Sequence, residues 1–201
     1  MGMGFSTVVF DIGNVLCSFD LSRTLRAWLP FVPGGVDEIK RVVPPLKERV
    51  ESGAMGTREF VSDTMAALRF TGSEEEFKRG WVEIFEAVSG TQALVEELSG
   101  KVRLLILSNT NELHWDYLRA TYPVFGKFDG YVVSHEAGLA KPDLAIYRHL
   151  AEKFGVNPRE ALFIDDLAEN VAAAEQCGFS GFQFSYSDRL HLVRLRELLV
   201  P

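Results

Sequence analysis

The feature that most constrains this chain is an alternation that starts, stops and starts again. Thr7-Val8-Val9-Phe10 is a β-branched and aromatic run, too short and too continuous for an amphipathic helix. It reads as a buried parallel strand. The run ends at Asp11-Ile12-Gly13-Asn14, where glycine and asparagine permit a tight turn. From about Leu21 to Leu98 the pattern is helical only. Phe60, Val61, Met65 and Leu68 form one stripe, with Thr57 as its expected N-cap. Phe77, Trp81, Ile84, Phe85 and Val88 form another, behind the acidic start Glu74-Glu75-Glu76. Pro33-Gly34-Gly35, Pro44-Pro45, and Gly53 with Gly56 read as punctuation between helices.

After Leu98 the alternation returns. Strands are expected over Val102–Leu107, Gly130–Ser134, Ala161–Ile164 and Phe182–Phe184. Helices are expected over Asn111–Tyr122, through Ile146 and Leu150, over Val171–Gln176 and around Leu190–Leu199. Short βα connections of this kind specify an α/β fold, a Rossmann-like open parallel sheet with helices on both faces. A group of helices after one strand does not fit a uniform βαβ series and reads as an inserted helical cap. The expected division is residues 1–18 with 92–201 as the core and 19–91 as the cap.

Composition narrows the function. The 201 residues carry 21 Lys+Arg against 28 Asp+Glu, a net charge of −7, which disfavours nucleic acid and anionic membranes as partners. No apolar run approaches the roughly 18 residues that cross a bilayer, and the N-terminus lacks the order of a signal peptide. Met1-Gly2 with Ser6 fits a short acylation pattern, but a strand begins at once after it, and the segment reads as a short start. Cys17 and Cys177 are too few for a disulfide framework or a zinc site and read as reduced thiols. The expectation is a cytoplasmic protein, a monomer or weak homodimer.

In an open parallel sheet, ligands bind beyond the carboxyl ends of the strands. There the sequence places Asp11, then Ser108-Asn109, then Lys141-Pro142 in a loop, then Asp165-Asp166. Two acidic stations suit Mg²⁺, which takes oxygen ligands and bridges carboxylate to phosphate. A hydroxyl and a lysine suit the remaining phosphate oxygens. An aspartate in that setting can act as a nucleophile. His114 lies close enough to the rim to be weighed as a proton donor, although a structural role is the simpler reading. Asn170 is expected to orient the Asp165-Asp166 loop. Cys17 reads as packing, and the aromatics Trp28, Phe77, Trp81 and Phe85 as cap core.

The four stations V-V-F-D-I-G-N-V, L-I-L-S-N-T-N, A-K-P-D and F-I-D-D resemble motifs I to IV of the haloacid dehalogenase superfamily, in order and over essentially the whole chain. The helical insert falls where that family carries a C1-type cap. Within it, S-N-T-N-E-L-H, G-L-A-K-P-D-L-A-I-Y and F-I-D-D-L-A-E-N look like the D-x-G-N-V sugar 1-phosphate phosphatases, which include α-D-glucose-1-phosphate phosphatase. The resemblance implies a Mg²⁺-dependent phosphatase acting on small phosphorylated metabolites, sugar 1-phosphates foremost. It makes Asp11 the nucleophile and a metal ligand. It also makes Asp166 a ligand, Asp165 a second candidate, and the Gly13 carbonyl part of the metal shell. Ser108 and Asn109 would bind the phosphoryl group, and Lys141 would neutralise it and orient Asp11.

Gly13 departs from the family pattern, because most of its phosphatases carry there the aspartate that protonates the leaving oxygen. General acid–base help is worth about 10²–10⁴ in rate. Its absence points to esters whose leaving group needs little protonation, or to another proton source. Two alternatives stay open: a 2-haloacid dehalogenase, which uses the same aspartate without metal, and a non-catalytic binding module on the same scaffold.

Overall fold

The computed structural model describes residues 4–200; the Met1-Gly2 end of the acylation pattern lies outside them. Five parallel strands, β1 (Thr7–Phe10), β4 (Arg103–Ser108), β5 (Gly130–Val133), β6 (Ala161–Asp165) and β7 (Ser180–Gln183), form one sheet in the order β5-β4-β1-β6-β7. The first strand is therefore central. All four of its residues are buried, which is why it reads as a continuous apolar run. Helices α5 (Ser89–Leu98), α6 (Glu112–Thr121) and α10 (Arg189–Leu199) cover one face, where Leu94, Leu98, Trp115, Leu118 and Leu195 pack on Val8, Phe10, Leu104 and Ile106. On the other face α8 (Leu144–Phe154) and α9 (Ala168–Gln176) bring Ile146, Tyr147, Leu150 and Ala174 onto Val9, Leu105 and Phe163. A one-turn helix, α7 (Ser134–Ala137), follows β5.

Between β1 and α5, four helices enclose a core of their own. They are α1 (Leu21–Trp28), α2 (Gly35–Glu51), α3 (Thr57–Ala67) and α4 (Glu74–Val82). Trp28, Phe60, Phe77 and Trp81 fill that core. Trp28 lies between Phe77 and Trp81 with ring centroids 4.3 and 5.7 Å away, and its Nε1 donates to Phe77 O at 2.9 Å. Among the described residues no helix is long and apolar enough to cross a membrane.

Three local expectations are corrected. Pro44-Pro45 does not end a helix; it lies inside α2. The carbonyls that lose a donor there belong to Lys40 and Arg41, and both residues, like the prolines, stand on the exposed side of α2, where a carbonyl without an N–H partner costs least. Thr57 is not the N-cap of α3. Gly56 caps it in extended conformation, and its carbonyl accepts from Phe60 N at 2.9 Å. The stripe through Ile84, Phe85 and Val88 does not extend α4, which ends at Val82 behind a capping box of Ser73 and Glu76. Instead β3 (Phe85–Ala87) pairs antiparallel with β2 (Cys17–Phe19). Backbone bonds of 3.0 Å from Asp20 N to Ile84 O and from Val88 N to Leu16 O bracket the pair. Long-range pairing outweighs the local spacing.

Candidate active site

Register brings the stations together. Phe10 lies opposite both Ile106 and Ile164, so Asp11, one residue on, comes level with the ends of β4 and β6. Asp11 N donates to Ile164 O at 2.9 Å, extending the ladder into the turn. The chain then reverses sharply, with Asn14 in the left-handed region at φ 54°, a conformation asparagine tolerates. Asn14 Nδ2 donates to Asp166 Oδ2 at 2.9 Å and so ties the first turn to the loop after β6.

Lys141 is the hub. Its side chain is 1% exposed, and Nζ lies 2.8 Å from Asp11 Oδ1 and 2.6 Å from Asp165 Oδ2. The contact to Asp11 is an ion pair outside hydrogen-bond geometry, which leaves Oδ1 buried without a hydrogen-bond donor. Burial chiefly raises the Asp11 carboxyl above its ordinary range, and the Asp165 charge adds to this; Lys141 and the Ser108 hydroxyl oppose it. The two carboxylates outweigh burial at Lys141 and hold its ammonium charged.

The expected site residues separate by position. Asp11, Gly13, Ser108, Asn109, Lys141 and Asp166 all line one cavity of about 360 Å³ at the carboxyl edge of the sheet. Asp165 lies behind it, fully buried. Its Oδ1 accepts from Leu167 N and Asn170 Nδ2, both at 2.9 Å, while Oδ2 is held by Lys141. Asn109 clamps the lysine loop: its Nδ2 donates to Lys141 O and its Oδ1 accepts from Lys141 N, each at 2.8 Å. Both ends of that amide are engaged by the loop, so the Asn109 side chain positions Lys141. His114 borders the cavity but is fixed in place. Its Nε2 lies 3.0 Å from Trp81 O, Nδ1 lies 3.0 Å from Asn111 Nδ2, and its ring stacks on Trp81 at 4.9 Å. Burial, aided by Lys47, pushes its pKa down to about 3. It is a neutral junction between α4 and α6, without a proton to give near neutrality. Cys17 is buried and its thiol is pushed up to about 12, as packing requires.

One oxygen each from Asp11, Asp165 and Asp166 lies within 4.8 Å of the others. This all-oxygen donor set suits a hard divalent cation. Asp11, whose buried Oδ1 has no hydrogen-bond donor, and Asp166, with one oxygen not engaged by Asn14, both line the cavity. Asp165 already accepts hydrogen bonds at both oxygens, with Oδ2 shared with Lys141.

Three contributors are not expected from the motifs: Asn14, and from α2 the pair Lys47 and Glu51, whose Nζ and Oε2 lie 2.6 Å apart on the cavity wall. Asn14 stands within the D-I-G-N turn itself. Lys47 and Glu51 carry an i,i+4 signal, hidden when Pro44-Pro45 is read as a helix end. A wider, open hollow of about 810 Å³ lies at the amino ends of β1, β4 and β5, lined by Ser6, Arg103, Asp129 and Lys153. It is remote from Asp11.

A parallel sheet that carries an aspartate after its central strand, a buried lysine beside it and an acidic pair on the neighbouring strand defines a class of hydrolase built on a Rossmann-like core. The model of the haloacid dehalogenase-like hydrolases matches residues 5–178, and the chain belongs to that family. It is 32% identical over 188 residues to the sesquiterpene phosphatase astK of Aspergillus oryzae, covering 91% of each chain. It is 24% identical over 185 residues to the D-ribitol-5-phosphate phosphatase of Bacteroides thetaiotaomicron, covering 88% of this chain and 90% of that one. A family enzyme from the same bacterium, solved as a magnesium complex, superposes with a TM-score of 0.85 at 25% identity, covering 95% of this chain and 99% of that chain.

Proposed function

We propose that the protein is a Mg²⁺-dependent phosphoric monoester hydrolase that works through an aspartyl-phosphate on Asp11. The observation that carries this reading is the cavity shared by Asp11, Lys141 and Asp166, in which a nucleophile, a buried ammonium and a second carboxylate meet. Asp11, Asp166 and the Gly13 carbonyl would hold the cation, whose positive charge offsets that of the phosphoryl oxygens. Lys141 keeps Asp11 oriented and takes part of the oxygen charge. The Ser108 hydroxyl, already within reach of Asp11, binds the phosphoryl group. An Asp11 oxygen attacks phosphorus and the ester P–O bond breaks, its electron pair leaving with the alcohol oxygen, which takes a proton from water. Water then attacks the same phosphorus, phosphate departs, and the Asp11 carboxylate is restored.

Gly13 offers no acid for the first step. A Cβ added at Gly13 would meet Phe19 Cε1 at 3.3 Å and Asp11 Oδ2 at 3.8 Å, so that space lies at the nucleophile and a ring borders it. The reading favours leaving groups that need little protonation, sugar 1-phosphates among them. Residues 19–91 act as the cap over residues 1–18 with 92–201, and contribute Lys47 and Glu51 to the wall. Small phosphorylated metabolites in the cytoplasm are the proposed substrates, and a monomer or weak homodimer the proposed state.

The test is a phosphate-ester panel with and without Mg²⁺. Turnover should require the metal, run faster on sugar 1-phosphates than on 6-phosphates, and fall by at least about 10³-fold in Asp11→Asn. Activity that survives this substitution sinks the reading. Metal-free chloride release from 2-chloropropionate favours the dehalogenase instead.

A further inference from the structure

Large hydrophobic side chains left in water gather at the mouth of the cavity. Phe19, Leu21 and Leu167 are 42%, 46% and 48% exposed, and all three line the cavity that holds Asp11. They come from segments far apart in sequence: Phe19 ends β2 and Leu21 opens α1, while Leu167 stands in the loop directly after Asp166. Behind them the apolar wall continues. Phe85 meets Phe19 edge to face at 6.5 Å, and Ile84, buried, lines the same space. Away from the acidic rim and Lys141, the charged side chains on the wall are Lys47 and Glu51, and they satisfy each other. A polyhydroxylated substrate would set its hydroxyls against this lip without partners, and unpaired polar groups are costly to desolvate.

We infer that the substrate is a monoester with an apolar body, an alkyl or aryl alcohol whose hydrocarbon lies against Phe19, Leu21 and Leu167 while its phosphate reaches Asp11. This rests on the phosphatase reading above and keeps its nucleophile and metal, but it sets an apolar alcohol, whose oxygen takes its proton from water, in place of the sugar 1-phosphates favoured there. Binding then removes from water the apolar surface that the free protein exposes.

A series of n-alkyl monophosphates from butyl to octyl tests it, because the leaving alcohol stays chemically the same while the apolar length grows. With Mg²⁺ present, kcat/KM should rise about twofold per methylene, roughly half the effect of full burial, and so more than tenfold across the series. Leu21→Ser with Leu167→Ser should bring the factor per methylene close to one; both positions are exposed, so folding is not at stake. A flat series in the wild type, or an unchanged slope in the variant, overturns the inference and assigns the lip to contact between cap and core. The matching alkylphosphonates, measured by calorimetry, read the same slope without turnover. Rising affinity without hydrolysis of any ester would overturn the phosphatase reading and keep the apolar site. Hydrolysis with flat affinities would do the reverse.

Discussion

Lys141 places one positive charge between two buried carboxylates, and the balance of the site depends on it. Its Nζ is within 2.8 Å of both Asp11 and Asp165, with side chains 9% exposed or less. Removing one partner of a buried ion pair leaves an uncompensated charge, at a cost of about 3–5 kcal/mol. Lys141→Met is therefore expected to lower the unfolding free energy, read from urea denaturation, by an amount in that range and to abolish turnover. Adding Asp165→Asn should restore much of the stability, since only Asp11 then lacks its counter-charge, yet not the activity. Equal stability of the single variant and wild type would show that Lys141 is not the counter-ion of this pair. By residue type alone Lys141 is a lysine before a proline; the A-K-P-D resemblance marks it for the site. What holds it there is the Asn109 clamp, a pairing across 32 positions that no local pattern reveals.

At the scale of elements, His114 joins cap to core and makes the joint sensitive to acid. Its pKa is pushed down to about 3 by burial and by Lys47, from an ordinary value of 6.5. Between these values the unfolded chain binds a proton that the folded protein refuses. This stabilisation is complete above pH 6.5 and is lost as pH falls towards 3, by up to roughly 1.4 kcal/mol per pH unit. The wild type should lose thermal stability relative to His114→Gln on acidification from pH 7 to 5, measured by calorimetry at both pH values. Parallel profiles would contradict a buried neutral imidazole.

The core elements were legible because burial and period agree in them: β1 is apolar throughout and α8 is amphipathic. The cap was less so. The spacing of Trp81, Ile84, Phe85 and Val88 fits a helix, but β2, distant in sequence, claims Phe85–Ala87 as a partner strand. Pro44-Pro45 reads as a stop because sequence does not reveal which side of α2 faces water. The same misreading hides Lys47 and Glu51, the cap's contribution to the cavity.

At the scale of the whole molecule, the net charge of −7 has a local counterpart at the rim. Three carboxylates, Asp11, Asp165 and Asp166, meet one ammonium there, and the excess negative charge opposes a phosphate until a cation offsets it. Such a site ties stability to metal. A ligand that binds only the folded state contributes about 2.7 kcal/mol at a hundred times its Kd, or roughly 5–10 °C in Tm for a chain of this size. Magnesium should raise Tm by that order, and a chelator should reverse the rise. The two adjacent aspartates then have different signatures. Asp166→Asn should erase the metal-dependent shift and leave the metal-free Tm equal or higher, because it removes a like charge from the cavity wall. Asp165→Asn should instead lower the metal-free Tm, because Lys141, Leu167 N and Asn170 lose a charged acceptor. The same outcome for both variants would mean that the two share one role. Opposite outcomes would divide the F-I-D-D station into a structural carboxylate behind the lysine and a ligand in front of it.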